Sequence, residues 1–262
     1  MLNWLRNLGS QKRSSDAIPE ELWMDTLLRY PFLARRPVAE HLRLRALVGE
    51  FLKQKQFSGA QGLQVTDAMA IAIAAQACLP VLHLGLRWYD DFRGIVVHPG
   101  AMLARRQVTD GSGVVHHYSE VLLGEAMDRG PVTLSWEDAA AGDTAEQGHN
   151  VVIHEFIHKI DMRDGLADGC PPLPSRKAHA QWHEVMQPAY DAFCEQVAMA
   201  RRFGGQPPWL DAYGAKSPAE FFAVACEAYF VNRESFTRDF PDLTALFDQF
   251  FKLNEPLAHQ EP

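Results

Sequence analysis

The sequence predicts an α+β fold, mainly helical with a small mixed sheet. Three observations carry this: helical periodicity toward both ends, a central run of short β-prone segments, and one strongly apolar helix bearing the pattern H-E-x-x-H.

Residues 1–16 are expected to be a flexible tail, because Arg6, Asn7, Lys12 and Arg13 break up the apolar patches that a signal peptide needs to be continuous. Helices are expected over 17–80. Pro19, just ahead of Glu20-Glu21-Leu22-Trp23, is well placed to open the first. Over 39–56, leucines, Val48 and Phe51 alternate with Arg, Glu and Lys at helical spacing. The long apolar stretch 68–86 is interrupted by Gln76, Pro80 and His83 and preceded by a capping Thr66-Asp67. It fits a buried core helix ending near Pro80 better than a membrane span.

A small sheet is expected over about 81–136, where Ile95-Val96-Val97-His98, Val114-Val115-His116-His117-Tyr118 and Val132-Thr133-Leu134-Ser135-Trp136 are separated by Gly, Pro and Asp turns. After a polar loop, Asn150 is placed as the N-cap of a helix over 150–163 that Asp164-Gly165 stops. Further helices are expected over 175–254. The first runs from Ser175 to Phe203, with Trp182, Val185, Met186, Phe193 and Val197 on its apolar side and Pro188 as a kink; the next starts at Ser217. Residues 255–262 form a second flexible tail. With no internal repeat or strong linker, 17–254 are expected to fold as one domain.

Composition excludes some functions. A formal charge of -8, without a basic cluster in any window, argues against a nucleic-acid partner. The four cysteines, Cys78, Cys170, Cys194 and Cys226, form no C-x-x-C pair. They suggest free thiols in a reducing compartment, and so a cytoplasmic location.

The helix over 150–163 carries the chemistry. His154 and His158 are four positions apart, about 40° around a helix and one turn along it, so both imidazoles can reach one zinc ion. Glu155, beside the first histidine, is placed to take a proton from a water acidified by that ion. Asp161 falls on the face of the two histidines, where it either braces one of them or is a solvated carboxylate in the last turn. Catalytic zinc sites usually take three protein ligands. Glu220 is a candidate for the third, but Ser217-Pro218-Ala219-Glu220 also reads as a capping box in which Glu220 caps its own helix. Glu227, two turns further along the same face, competes as ligand or as support. His179 and His183 share the i, i+4 spacing without an adjacent base and read as a solvated helix face. His116 and His117 point to opposite sides of a strand, and His149 lies in a loop.

The combination of His154-Glu155-Phe156-Ile157-His158-Lys159-Ile160-Asp161 with the upstream Gly130-Pro131-Val132-Thr133-Leu134-Ser135-Trp136 and the downstream Ser217-Pro218-Ala219-Glu220-Phe221-Phe222-Ala223-Val224 resembles the Mlc titration factor family. The resemblance runs from about Pro19 to Phe251. It implies a zincin-like metallopeptidase domain with one catalytic zinc, aminopeptidase activity on short peptides, and binding of the transcriptional repressor Mlc. It implies His154, His158 and Glu220 as zinc ligands and Glu155 as general base. Tyr213, seven residues before Glu220, is similar to a tyrosine in the anthrax lethal factor metallopeptidase domain, and by that similarity donates to the oxyanion of the tetrahedral intermediate. That toxin has a second glutamate four residues after the ligand, where this chain has Val224. The resemblance also gives 132–136 two equal readings, an edge strand pairing with extended substrate or a purely structural strand.

Two functions of different class follow. One is a zinc peptidase acting on short peptides. The other is a regulatory protein that sequesters the repressor and in which the zinc site is secondary. They separate on Glu155→Gln, which abolishes cleavage in the first and leaves repressor binding intact in the second.

Overall fold

In the computed structural model, residues 18–109, 115–141 and 148–251 are described, and both expected tails lie outside them. The first helix, α1 (Glu20–Arg29), starts directly after Pro19, which sits at its N-cap. A single turn, α2 (Pro31–Ala34), leads to α3 (Val38–Gln54), whose Leu44, Val48, Phe51 and Leu52 are buried. Sequence periodicity carries α3 to residue 56. The structure instead ends it at Gln54 and turns Gln56–Gly59 into a strand, β1. The reason is tertiary. Lys55 extends and buries its ammonium on the Tyr89 and Phe92 carbonyls, while the Gln56 N–H donates to the Arg93 carbonyl at 2.8 Å. Helix α4 (Asp67–Cys78) is N-capped by the Thr66 hydroxyl and buried from Met69 to Cys78, the core helix that its composition predicts.

The strands β2 (Gly94–His98), β3 (Met102–Thr109), β4 (Val115–Leu122), β5 (Gly124–Ala126) and β6 (Val132–Ser135) follow. Then come a turn, α5 (Trp136–Ala139), and the helices α6 (Val151–Asp161), α7 (Arg176–Phe203), α8 (Pro218–Val231), α9 (Arg233–Asp239) and α10 (Pro241–Phe251). One mixed sheet has the order β1-β2-β6-β5, and β3 with β4 makes a separate antiparallel pair. The first three strands are parallel, as the α4 crossover between β1 and β2 allows, whereas β5 runs antiparallel to β6. The sheet is therefore mixed, as expected, but begins at residue 56. The edge-strand reading of 132–136 is corrected. Ile95 to His98 of β2 pair with one side of β6 and Gly124 to Ala126 of β5 with the other, so the backbone of β6 is already engaged on both sides.

Ile95, Val97, Val132 and Leu134 are fully buried, in one apolar cluster that runs from Ile18 to Phe251. Helix α6 is pinned in that core by Phe156, whose ring lies 5.7 Å from Phe51, 5.1 Å from Tyr89 and 5.9 Å from Phe92. Burial of one such phenylalanine contributes about 2–3 kcal/mol. Behind α6, α8 is buried over nearly its whole length; Trp182 of α7, Phe222 and Tyr229 of α8 and Phe247 of α10 interlock there. Pro188 lies inside α7 without ending it. Among the described residues, no helix is long and apolar enough to cross a membrane.

Candidate metal and catalytic site

Asn150 starts the site by starting its helix. Its side-chain oxygen accepts from the Ile153 N–H at 2.8 Å, the capping bond that sets the register of α6. His154, Glu155 and His158 then lie in the middle of α6, with Val152, Ile153, Phe156, Ile157 and Ile160 buried around them. Helix α8 supplies the other side. Its start is also capped, with Ser217 Oγ accepting from the Glu220 N–H at 3.3 Å.

The serine thus makes its half of the expected capping box, but the Glu220 carboxylate turns to the histidines. Glu220 Oε2 is 3.1 Å from His154 Nε2 and 3.2 Å from His158 Nε2, and the two nitrogens are 3.1 Å apart. These three residues form a cluster able to hold a metal ion. The triangle fits such an ion closely, since ligand atoms around a tetrahedral centre with bonds of about 2.0 Å stand about 3.3 Å apart. Two imidazole nitrogens and a carboxylate oxygen at this spacing have lone pairs that repel unless a cation or protons lie between them.

Glu227 answers the question that its spacing leaves open. It is buried; one carboxylate oxygen accepts from His154 Nδ1 at 2.7 Å and the other accepts from the Asn150 N–H. Proton donation from Nδ1 leaves the Nε2 lone pair of His154 directed at the triangle. The support continues inward. The Asn150 amide donates to Gln76 Oε1 at 2.7 Å, and Gln76 Nε2 in turn donates to the Ala72 carbonyl at 3.0 Å and the Ala139 carbonyl at 3.3 Å. Gln76 was legible only as an interruption of an apolar run. A buried amide in the middle of a core helix needs partners, which was the signal available.

Asp161 departs from both of its sequence readings. It is fully buried rather than solvated, and its bonded oxygen accepts from the Gly169 N–H at 3.0 Å instead of reaching a histidine. Tyr213, in the 3₁₀ turn Ala212–Lys216, has its ring centre 6.1 Å from that of His154, and its hydroxyl accepts from the Lys216 ammonium at 3.0 Å. His149 pairs with Asp211 at 3.6 Å near the same opening. His183 is exposed as expected, whereas His179 is half-buried with Nδ1 3.4 Å from Cys170 Sγ. The side chains of His116 and His117 lie outside the described residues.

A cavity of about 470 Å³ is lined by His154, Glu155, Tyr213, Val224 and Glu227 together with Leu123 and Gly124. Burial pushes the Glu155 carboxyl up to about 8, with His154 opposing and Glu220 and Glu227 adding to the rise. Burial also raises Glu220's preference for its neutral form, but its bonds to His154 and His158 prevail and hold it well below the usual carboxylate range. The same contest goes to the carboxylates at His154, raised despite burial by Glu227 and Glu220, and to burial at His158, which is lowered. An acid kept near neutrality beside a donor triangle suits proton transfer at a polarised water.

Comparison with known proteins matches the chain to a metallo-peptidase family. The family model described as glucose-regulated metallo-peptidase M90 matches residues 3–252. A protein of Pectobacterium atrosepticum named Mlc titration factor A is 37% identical over 230 residues, covering 87% of this chain and 84% of its own. A protein of the same name from Salmonella arizonae is 35% identical over 88% of this chain and 90% of its own. Another, from Edwardsiella ictaluri, is 36% identical over 87% and 85%.

Proposed function

Because the chain belongs to the glucose-regulated metallo-peptidase M90 family, we propose that it is a zinc-dependent, aminopeptidase-like enzyme cleaving short peptides, with His154, His158 and Glu220 as zinc ligands. The observation that carries this reading is the donor triangle, with the buried Glu155 next to its His154 in α6 and lining the same cavity as that histidine. Two histidines of one helix beside a general base, completed by a carboxylate of a second helix, make the fold zincin-like in its active-site design. His154, His158 and Glu220 would hold the zinc, which would supply a Lewis acid for the scissile carbonyl and a bound water with its pKa lowered to roughly 7.

The chain's own residues do the rest. Glu155 takes the proton of the attacking water as its oxygen bonds to the carbonyl carbon. It then passes that proton to the departing nitrogen as the C–N bond breaks. Tyr213 donates a hydrogen bond from its hydroxyl to the oxyanion, and the Lys216 ammonium donates to the same phenol oxygen. Glu227 holds His154 in the tautomer that offers Nε2. Extended substrate pairs with β5, whose outer edge carries no strand among the described residues and which lies beside Glu155, rather than with the engaged β6.

The relatives' name favours a second role, binding of Mlc, which the family resemblance makes a transcriptional repressor, and we infer a cytoplasmic location for it. The four free cysteines suit a reducing compartment. Metal analysis of the purified protein and of Glu220→Ala tests the site: about one zinc per chain is expected, and its retention in Glu220→Ala removes that residue from the ligand set. Glu155→Gln separates the roles. It keeps zinc and repressor binding and loses cleavage; undiminished turnover refutes the catalytic assignment. Loss of repressor binding in the same variant makes regulation depend on the active site.

A further inference from the structure

Gly124 is the first residue of a three-residue strand, a place where glycine weakens pairing and where any residue with a side chain would serve the ladder better. Its backbone does not ask for glycine, because its φ is outside the left-handed region. The reason lies in α6, which packs directly against β5. A Cβ placed on Gly124 would stand 2.5 Å from Cγ, 2.6 Å from Oε1 and 2.8 Å from Cδ of Glu155.

Neither backbone can give way. Gly124 is paired with Leu134 in the β5-β6 ladder. Glu155 sits mid-helix, one residue before the fully buried Phe156 and its three aromatic neighbours. A side chain at 124 is therefore accommodated only by turning the Glu155 carboxylate out of its place. We propose that Gly124 is a positioning residue for Glu155: its bare Cα makes the recess in β5 that fixes where the carboxylate stands relative to the His154, His158 and Glu220 triangle.

This rests on the peptidase reading, and the experiment keeps the two apart. Kinetics on a chromogenic short-peptide amide, with metal content and Tm, are measured for the holoenzyme, Gly124→Ala, Glu155→Gln, Glu155→Ala and the Gly124→Ala/Glu155→Ala double variant. Gly124→Ala is expected to keep its metal and its KM while kcat falls about 10- to 100-fold, the cost of displacing a catalytic group by about an ångström. In the Glu155→Ala background, where Cγ, Cδ and Oε1 are all gone, the same substitution is expected to leave Tm unchanged, whereas with Glu155 present it lowers Tm. Full kcat in Gly124→Ala, or equal losses of Tm in both backgrounds, overturns the proposal. If Glu155→Gln retains activity, it is the peptidase reading that fails. Should Gly124→Ala not fold, Gly124→Ala/Glu155→Ala is expected to fold, because the clash is gone. Failure of that variant too would mean that the Cβ meets something other than Glu155, and would equally overturn it.

Discussion

Glu227 and Glu220 lie on one face of α8, yet they meet His154 from opposite ends of its ring, Glu220 at Nε2 and Glu227 at Nδ1. Substitutions should therefore differ in kind. Glu220→Ala removes a ligand and is expected to abolish stoichiometric metal binding. Glu227→Ala, which leaves the triangle intact but frees the imidazole, should weaken metal affinity about 10- to 100-fold in a competitive chelator titration. Equal affinity in wild type and Glu227→Ala would show that its bond to Nδ1 is idle. Glu155→Gln should bind metal as wild type does and lose about 10²- to 10⁴-fold in kcat. At this scale the placement of His154, Glu155 and His158 together on one helix was legible because helix geometry relates near neighbours in sequence. Glu227 and Asp161 were not, because spacing places a carboxylate on a face without saying which atom it meets across the packing. Asp161 fits the histidine face by offset and is taken instead by the Gly169 N–H.

Helix ends were the most readable elements. Asn150, Ser175 and Ser217 each cap the helix that their position predicts, since a capping bond closes within three residues and needs no tertiary partner. Strand β1 and the internal position of β6 were unreadable for the converse reason: Gln56–Gly59 becomes a strand only because β2 arrives beside it. The caps also differ in what hangs from them. Ser175→Ala removes one local bond and should cost about 1 kcal/mol in denaturant unfolding, with metal affinity unchanged. Asn150→Ala removes the cap of α6 and also strands the buried Gln76 amide. Its cost should exceed that of Ser175→Ala by about 1–3 kcal/mol and be accompanied by weaker metal binding. Equal destabilisation of the two variants would show that the Gln76 contact contributes nothing.

Across the whole molecule, the same core that positions the site also buries charge, and Asp161 shows what that costs. It is fully buried at the end of α6, with Oδ2 bonded to the Gly169 N–H and Oδ1 without a hydrogen-bond partner. Burial pushes its carboxyl up to about 7, against the pull of the Gly169 N–H and with Asp168 and Asp164 adding to the rise. The sign of the linkage follows. Between the unfolded value near 4 and the folded value near 7, the native chain holds a proton that the unfolded chain has released. This group's contribution is therefore fully present below about pH 4 and is lost as pH rises through 7. Asp161→Asn carries a neutral amide at every pH and keeps an oxygen for Gly169, so it should lack that loss. With metal held at saturation, stability from chemical unfolding should fall between pH 5 and pH 8 by on the order of 1–3 kcal/mol more in wild type than in Asp161→Asn. Parallel pH profiles for the two proteins would mean that Asp161 is already ionised in the fold and that the bond from the Gly169 N–H is strong enough to offset the burial.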